Sequence, residues 1–152
     1  MVEWVRVYDL REDLDRVRAM QDASLHRPDM GLLPDPHLVG TPAWWSAIKK
    51  GRRTAVTVEG TITRIWWGRM GAWPEFALSS ADGEKSAWTR EGDFTRYVVG
   101  LRARAAYVVQ RFKEGVQLAR QGDPTTRLVL AIAIEHSDQR LPSDVPGPFG
   151  KQ

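Results

Sequence analysis

The sequence predicts a mainly β protein with N-terminal helices, an α+β chain whose strands close into a five-stranded antiparallel barrel. Three observations carry that expectation. Apolar residues recur at helical spacing only before residue 54. From Thr54 to about His136 the period changes to two, as in "TAVTVEGTI". Between two of the alternating runs stands Asp82-Gly83, a dipeptide whose backbone suits a tight hairpin.

The elements follow in chain order. Residues 2–8, "VEWVRVY", form a short strand, and Asp9 with Glu12 three residues on reads as a capping-box variant. Leu10, Leu14, Val17 and Leu25 then fall near one helical face, and Pro28 ends the pattern. After a Pro/Gly-rich loop, "PDMGLLPDPHLVG", a second helix is signed at both ends. Thr41 is its N-cap, Pro42 its first residue, and Gly51 follows its last turn. Lys49 and Lys50 complement the negative end of its dipole, and Trp44 with Ile48 gives it an edge to lay on the sheet as a lid or plug.

The first long strand carries Val56, Val58 and Ile62 on one side, with Gly60 marking a bend or a close backbone approach. "WPEFALSS" and "EKSAWTR" are the arms of the hairpin, "REGDFTRY" is a break, and "VVGLRARAAYVVQRF" and "TRLVLAIAIE" are two further strands. "KEGVQLARQGDPTT" between them is loop with one helical turn. Residues 1–53 are therefore expected as a helical and loop extension packed on the barrel, 54–136 as the barrel, and 137–152 as a disordered tail with little to bury.

Residues 54–136 resemble an OB-fold in strand count and punctuation: five strands, a glycine-marked first strand and a long loop between the fourth and fifth. The resemblance implies a barrel face that binds oligonucleotides or similar ligands. "EGDFTRY" is too short for the helix common between the third and fourth strands of that fold, and the helix at 41–50 takes that barrel end instead. An SH3-like barrel is the alternative.

The segment "RIWWGRMGAWPEF", Arg64 to Phe76, bears on function. Strict alternation from Ile62 would bury Arg64, and an unpaired buried guanidinium is costly, so a bulge is expected near Thr63-Arg64. Ile65 and Trp67 then face the core, and Arg64 and Trp66 face out. Val99, Leu101, Ala103 and Ala105 share an inner face further on, leaving Arg102 and Arg104 outside. The candidate binding patch is Arg64, Trp66, Trp88, Arg90, Arg102 and Arg104, with Lys113 and Arg120 on the neighbouring loop. Arginines tracking phosphates beside aromatics that stack bases would bind single-stranded DNA or RNA. Exposed Trp and Arg equally dominate protein hot spots, so a protein–protein interaction or adaptor module is the alternative. In the plainest arrangement, Trp66 and Trp88 pack under the N-terminal helices and the arginines pair with Glu59, Glu75, Glu91 and Asp93.

Catalysis finds no constellation. His26, His37 and His136 are far apart and lack ligand spacing, Ser79, Ser80 and Ser137 have no organised base, and "GRMG" lacks the length and helix of a phosphate loop. No enzyme activity, metal or cofactor is expected. The chain has no cysteine, which excludes disulfides and thiolate chemistry, and no run of membrane-span length. A cytoplasmic protein is the resulting expectation. Net charge is +3, so local stripes such as Tyr97–Lys113, basic and free of acids, matter more than the pI of about 9.5. Arginine far outnumbers lysine and asparagine is absent, the mark of a GC-rich bacterium or its phage.

Overall fold

The computed structural model describes residues 1–68, 73–114, 116 and 124–142. In order they form β1 (Trp4–Asp9), a short 3-10 turn, α1 (Leu14–His26), α2 (Pro42–Lys49), β2 (Ala55–Gly68), β3 (Trp73–Ser79), β4 (Lys85–Thr89), a 3-10 turn at Phe94–Arg96, β5 (Arg102–Arg111) and β6 (Thr125–Glu135). The strands make one antiparallel sheet in the order β1-β6-β5-β2-β3-β4.

The α+β class holds, but the five-stranded barrel does not, and neither does its likeness to an OB-fold or an SH3-like barrel. The sheet has six strands and stays open, with β1 and β4 as its edges. The N-terminal run "VEWVRVY" supplies the sixth strand by joining β6, where the backbone N–H of His136 donates to Glu3 O at 2.7 Å. A barrel would need β1 or β6 to meet β4, and neither does.

Contacts divide the chain into two units. The first comprises Met1–Tyr8, Thr57–Ala105 and the chain from Ala131 on. Its core is Ile62, Phe76, Leu78, Trp88, Tyr97, Ala103, Ala105, Ile132 and Ile134, all buried. The register of β2 on β3 slips between Ile62 and Arg64, so the expected bulge is present where an inward arginine would otherwise fall. Beyond it Ile65 stands opposite the buried Phe76 and Trp67 opposite Pro74. Gly60 meets its expectation of close approach: a Cβ there would lie 2.5 Å from the carbonyl oxygen of Ser79. Val99, by contrast, is exposed, because β5 begins only at Arg102.

The second unit comprises Asp9–Val56 and Ala106–Leu130. Asp9 caps the 3-10 turn through Arg11 N, and Asp13 caps α1 through Arg16 N, so the first helix starts later than its capping-box signal suggested. Leu14 and Leu25 consequently point to solvent, and Leu10 is the buried residue. Thr41 accepts from Trp44 N and Pro42 opens α2, as read from sequence. Trp44 is fully buried, and its indole N–H donates to Gln110 Oε1 on β5 at 3.4 Å. The other half of the Gln110 amide donates to Leu33 O, so this buried amide is satisfied at both ends.

Candidate functional site

The face of the first unit opposite its core carries most of the exposed aromatic and cationic side chains described there. Alternation puts Trp4 and Arg6 on that side of β1, Glu59, Arg64 and Trp66 on β2, and Arg102 and Arg104 on β5. On β6 the same side is lined by Ala131 and Ala133, because Leu130, Ile132 and Ile134 are the buried set.

Glu59 is the centre of the arrangement. Its Oε1 accepts from Arg104 Nε at 2.7 Å, and its Oε2 accepts from Arg102 Nη2. The hydrogen bonds from Arg104 and then Arg102 hold the Glu59 carboxyl below the usual carboxylate range. One carboxylate thus serves two guanidinium groups, both about half exposed. Arg104 also lies over the Trp4 ring, 4.0 Å from its centroid, and Arg64 lies over Trp66 at 4.5 Å. Trp73 is exposed at the start of β3, and its indole N–H donates to Thr89 Oγ1 at 3.0 Å. Two further acids share the face with Glu59: Glu75 pairs across from Trp66, and Glu135 Oε1 accepts the backbone N–H of Arg102.

Of the residues singled out from sequence, Arg64, Trp66, Arg102 and Arg104 lie on this face. Trp88 and Arg90 do not, being 4% and 2% exposed. The hairpin explains this: Trp88 stands directly opposite Phe76, and Arg90 N bonds Pro74 O, which sets both side chains on the core side. That register follows from the Asp82-Gly83 turn and could have been counted from it. Buried Arg90 lies against the rings of Trp67 and Phe94, centroids at 5.3 and 5.4 Å, and Nη2 donates to Trp66 O at 3.2 Å. Its Nε has no acceptor, and burial lowers the affinity of this guanidinium for its proton. Lys113 caps α1 within the second unit, its amine donating to the carbonyls of Ala23, Ser24 and Arg27. Arg120 lies outside the described residues. Sequence reasoning did not place Trp4 or Trp73 on the face; the alternation of "VEWVRVY", with Trp4 and Arg6 in step, was the signal for the first.

Among the described residues no three His, Cys, Asp or Glu side chains group as metal ligands, and no helix is long and apolar enough to cross a membrane. Two comparisons bear on what the face does. The family model described as immunity protein RhsI2 matches residues 5–135, a span that holds every described strand except the first residue of β1. No curated protein matches the chain. The family match overturns the expectation of single-stranded nucleic-acid binding and favours the protein-interaction alternative. The geometry accords with the correction. Trp88 and Arg90 are withdrawn into the core, and Trp4 and Trp66 each already carry a guanidinium on one ring face.

Proposed function

The chain belongs to the RhsI2 immunity protein family, whose members are non-catalytic, and from that premise we propose that it neutralises a cognate Rhs toxin by binding it. The single observation that carries the reading is the family match across nearly the whole described chain. The Trp4, Glu59, Arg64, Trp66, Trp73, Arg102 and Arg104 face is the contact surface. Tryptophan and arginine are the residues most enriched at binding hot spots, since each covers a large area with few rotatable bonds per contact or offers planar paired donors. Here the Glu59 clasp and the two stacks hold the arginines in place before a partner arrives, which lowers the ordering cost of association. The cytoplasm is the compartment of action, in keeping with a chain that contains no cysteine.

Mixing the purified protein with its cognate Rhs toxin should give a stable complex on gel filtration, and co-expression should protect cells from the toxin. Arg64→Glu combined with Trp66→Ala should weaken the complex by tenfold or more while leaving the thermal midpoint nearly unchanged. No complex at micromolar concentrations would end the reading. A complex indifferent to substitutions at Arg64, Trp66, Arg102 and Arg104 would move the contact to another surface.

A further inference from the structure

The densest run of positive charge in the chain lies in the second unit. Lys49-Lys50-Gly51-Arg52-Arg53 puts four cations into five residues at the end of α2. Lys50 is the C-cap, and Gly51 follows in the left-handed region at φ +76°. The reversal this permits brings the N–H groups of Arg52 and Arg53 back to one acceptor, Ala47 O, at 2.9 and 3.2 Å. Both arginines thereby line an open cavity of about 320 Å³ together with Asp35, Pro36, His37 and Ala47.

The two arginines are held differently. Arg53 Nη2 donates to Asp35 O at 2.6 Å and Nη1 to Val109 O at 3.5 Å. Both acceptors are neutral carbonyls, so the guanidinium is fixed in position and keeps its charge. Arg52 is exposed and makes no ion pair among the described residues. Lys49 and Lys50 are exposed beside it. Against these four charges stand the carboxylate of Asp35 and the helix C-terminus, the latter equivalent to about half a negative charge. The balance favours an anion.

The size and lining of the cavity narrow its kind. It sits at the lower limit of ligand pockets, which run from roughly 300 Å³, and so suits one side chain. Among the described residues no Trp, Tyr or Phe lines it, and its cations are bunched in one turn instead of spaced along a strand of phosphates. A planar guanidinium such as that of Arg52 matches a carboxylate with two parallel hydrogen bonds.

We propose that this cavity is a docking socket for an acidic side chain, a Glu or Asp on a protruding loop of the toxin, gripped by Arg52 with Arg53 as the fixed second charge. The proposal rests on the toxin-binding reading for the identity of the partner, but its location and chemistry do not depend on the basic-aromatic face.

The test measures binding of the full chain and its Arg52→Glu, Arg52→Lys and Lys50→Glu variants to the cognate Rhs toxin at 50 and 300 mM NaCl. Hexaglutamate, hexalysine and a single-stranded oligonucleotide serve as separate probes at the lower salt. We expect Arg52→Glu to weaken toxin binding at least tenfold, Arg52→Lys to do so partially, and the salt dependence to flatten in Arg52→Glu. Thermal midpoints should stay within a degree or two, since Arg52 is exposed. Toxin affinity equal in wild type and Arg52→Glu overturns the socket and leaves the toxin-binding reading standing. Failure of the toxin to bind, with hexaglutamate still held in an Arg52-dependent way, overturns that reading and keeps the carboxylate socket for another protein partner. Loss of both, or Arg52-dependent binding of the oligonucleotide but not hexaglutamate, overturns the socket itself.

Discussion

The guanidinium carbon of Arg104 lies 4.0 Å from the centroid of the Trp4 ring, although β6 runs between their two strands. The contact is possible because the outward positions of β6 hold Ala131 and Ala133, which leave room for a long side chain to cross the strand. A double-mutant cycle on Trp4→Ala and Arg104→Ala should show a coupling of about 0.5–1 kcal/mol in unfolding free energy. Urea denaturation measures it, and strictly additive losses would mean the stack contributes nothing.

Glu59 links stability to acid pH. Its folded carboxyl titrates below the unfolded value of 4.5, because Arg104 and Arg102 donate to the ionised form. That contribution is fully present above the unfolded value and is lost as pH falls through the folded one. The stability gap between wild type and Glu59→Gln should therefore be level from pH 7 to about 5 and close as pH falls further. A gap unchanged down to pH 2 would contradict the clasp.

Tyr97 does the opposite at high pH. Its hydroxyl is buried, donates to Glu91 O at 2.7 Å and accepts from Glu91 N at 3.1 Å, and burial pushes the phenol well above its ordinary range. A raised folded value stabilises below the unfolded pKa of about 10 and is lost as pH rises beyond it. Tyr97→Phe should cost about 1–3 kcal/mol at pH 7 through the orphaned backbone groups. The difference from wild type should narrow above pH 10, read by denaturant titration at each pH.

Arg90 is a buried cation with one carbonyl acceptor, two aromatic neighbours and an unpaired Nε. Removing such a charge relieves a desolvation penalty, so Arg90→Met should leave the fold equally stable or more stable by about 1 kcal/mol. A loss of more than about 3 kcal/mol would show instead that the guanidinium is a structural anchor.

Gly60→Ala tests the close approach between β2 and β3. The added Cβ would stand 2.5 Å from Ser79 O, a backbone atom that cannot swing aside. Strand displacement should cost about 2 kcal/mol or more, seen as a lower thermal midpoint. An unchanged midpoint would show that the strands part easily there.

Much of the local structure was legible. The Thr41 cap, Pro42, and the Gly51 end of α2 depend on residues within a few positions of each other, and so does the Asp82-Gly83 hairpin. The bulge at Thr63-Arg64 was readable because burying Arg64 would cost too much. Arg90 was expected in the outer patch and is buried. Nothing near it in the chain announces that Trp67 and Phe94 will form a pocket for its guanidinium. The positions of Arg64, Trp66, Arg102 and Arg104 on the outer face were anticipated, whereas alternation in β1 aligned Trp4 with Arg6 without assigning either to this face. Their place depends on β1 pairing with β6, more than a hundred residues away.

By itself, then, the sequence determined the class, the inward turn of Ile62 on β2 and of Phe76 and Leu78 on β3, though not of Val56, which is exposed, and the caps of α2. All of these are set by periodicity and neighbouring side chains. Only the tertiary structure decided that the sheet stays open, that Trp67 and Phe94 receive the Arg90 guanidinium, and that Glu59 draws Arg102 and Arg104 together on the outer face. Strand partnership is a competition among distant segments, settled by which apolar faces bury one another best, and a period of two is the same whichever partner wins.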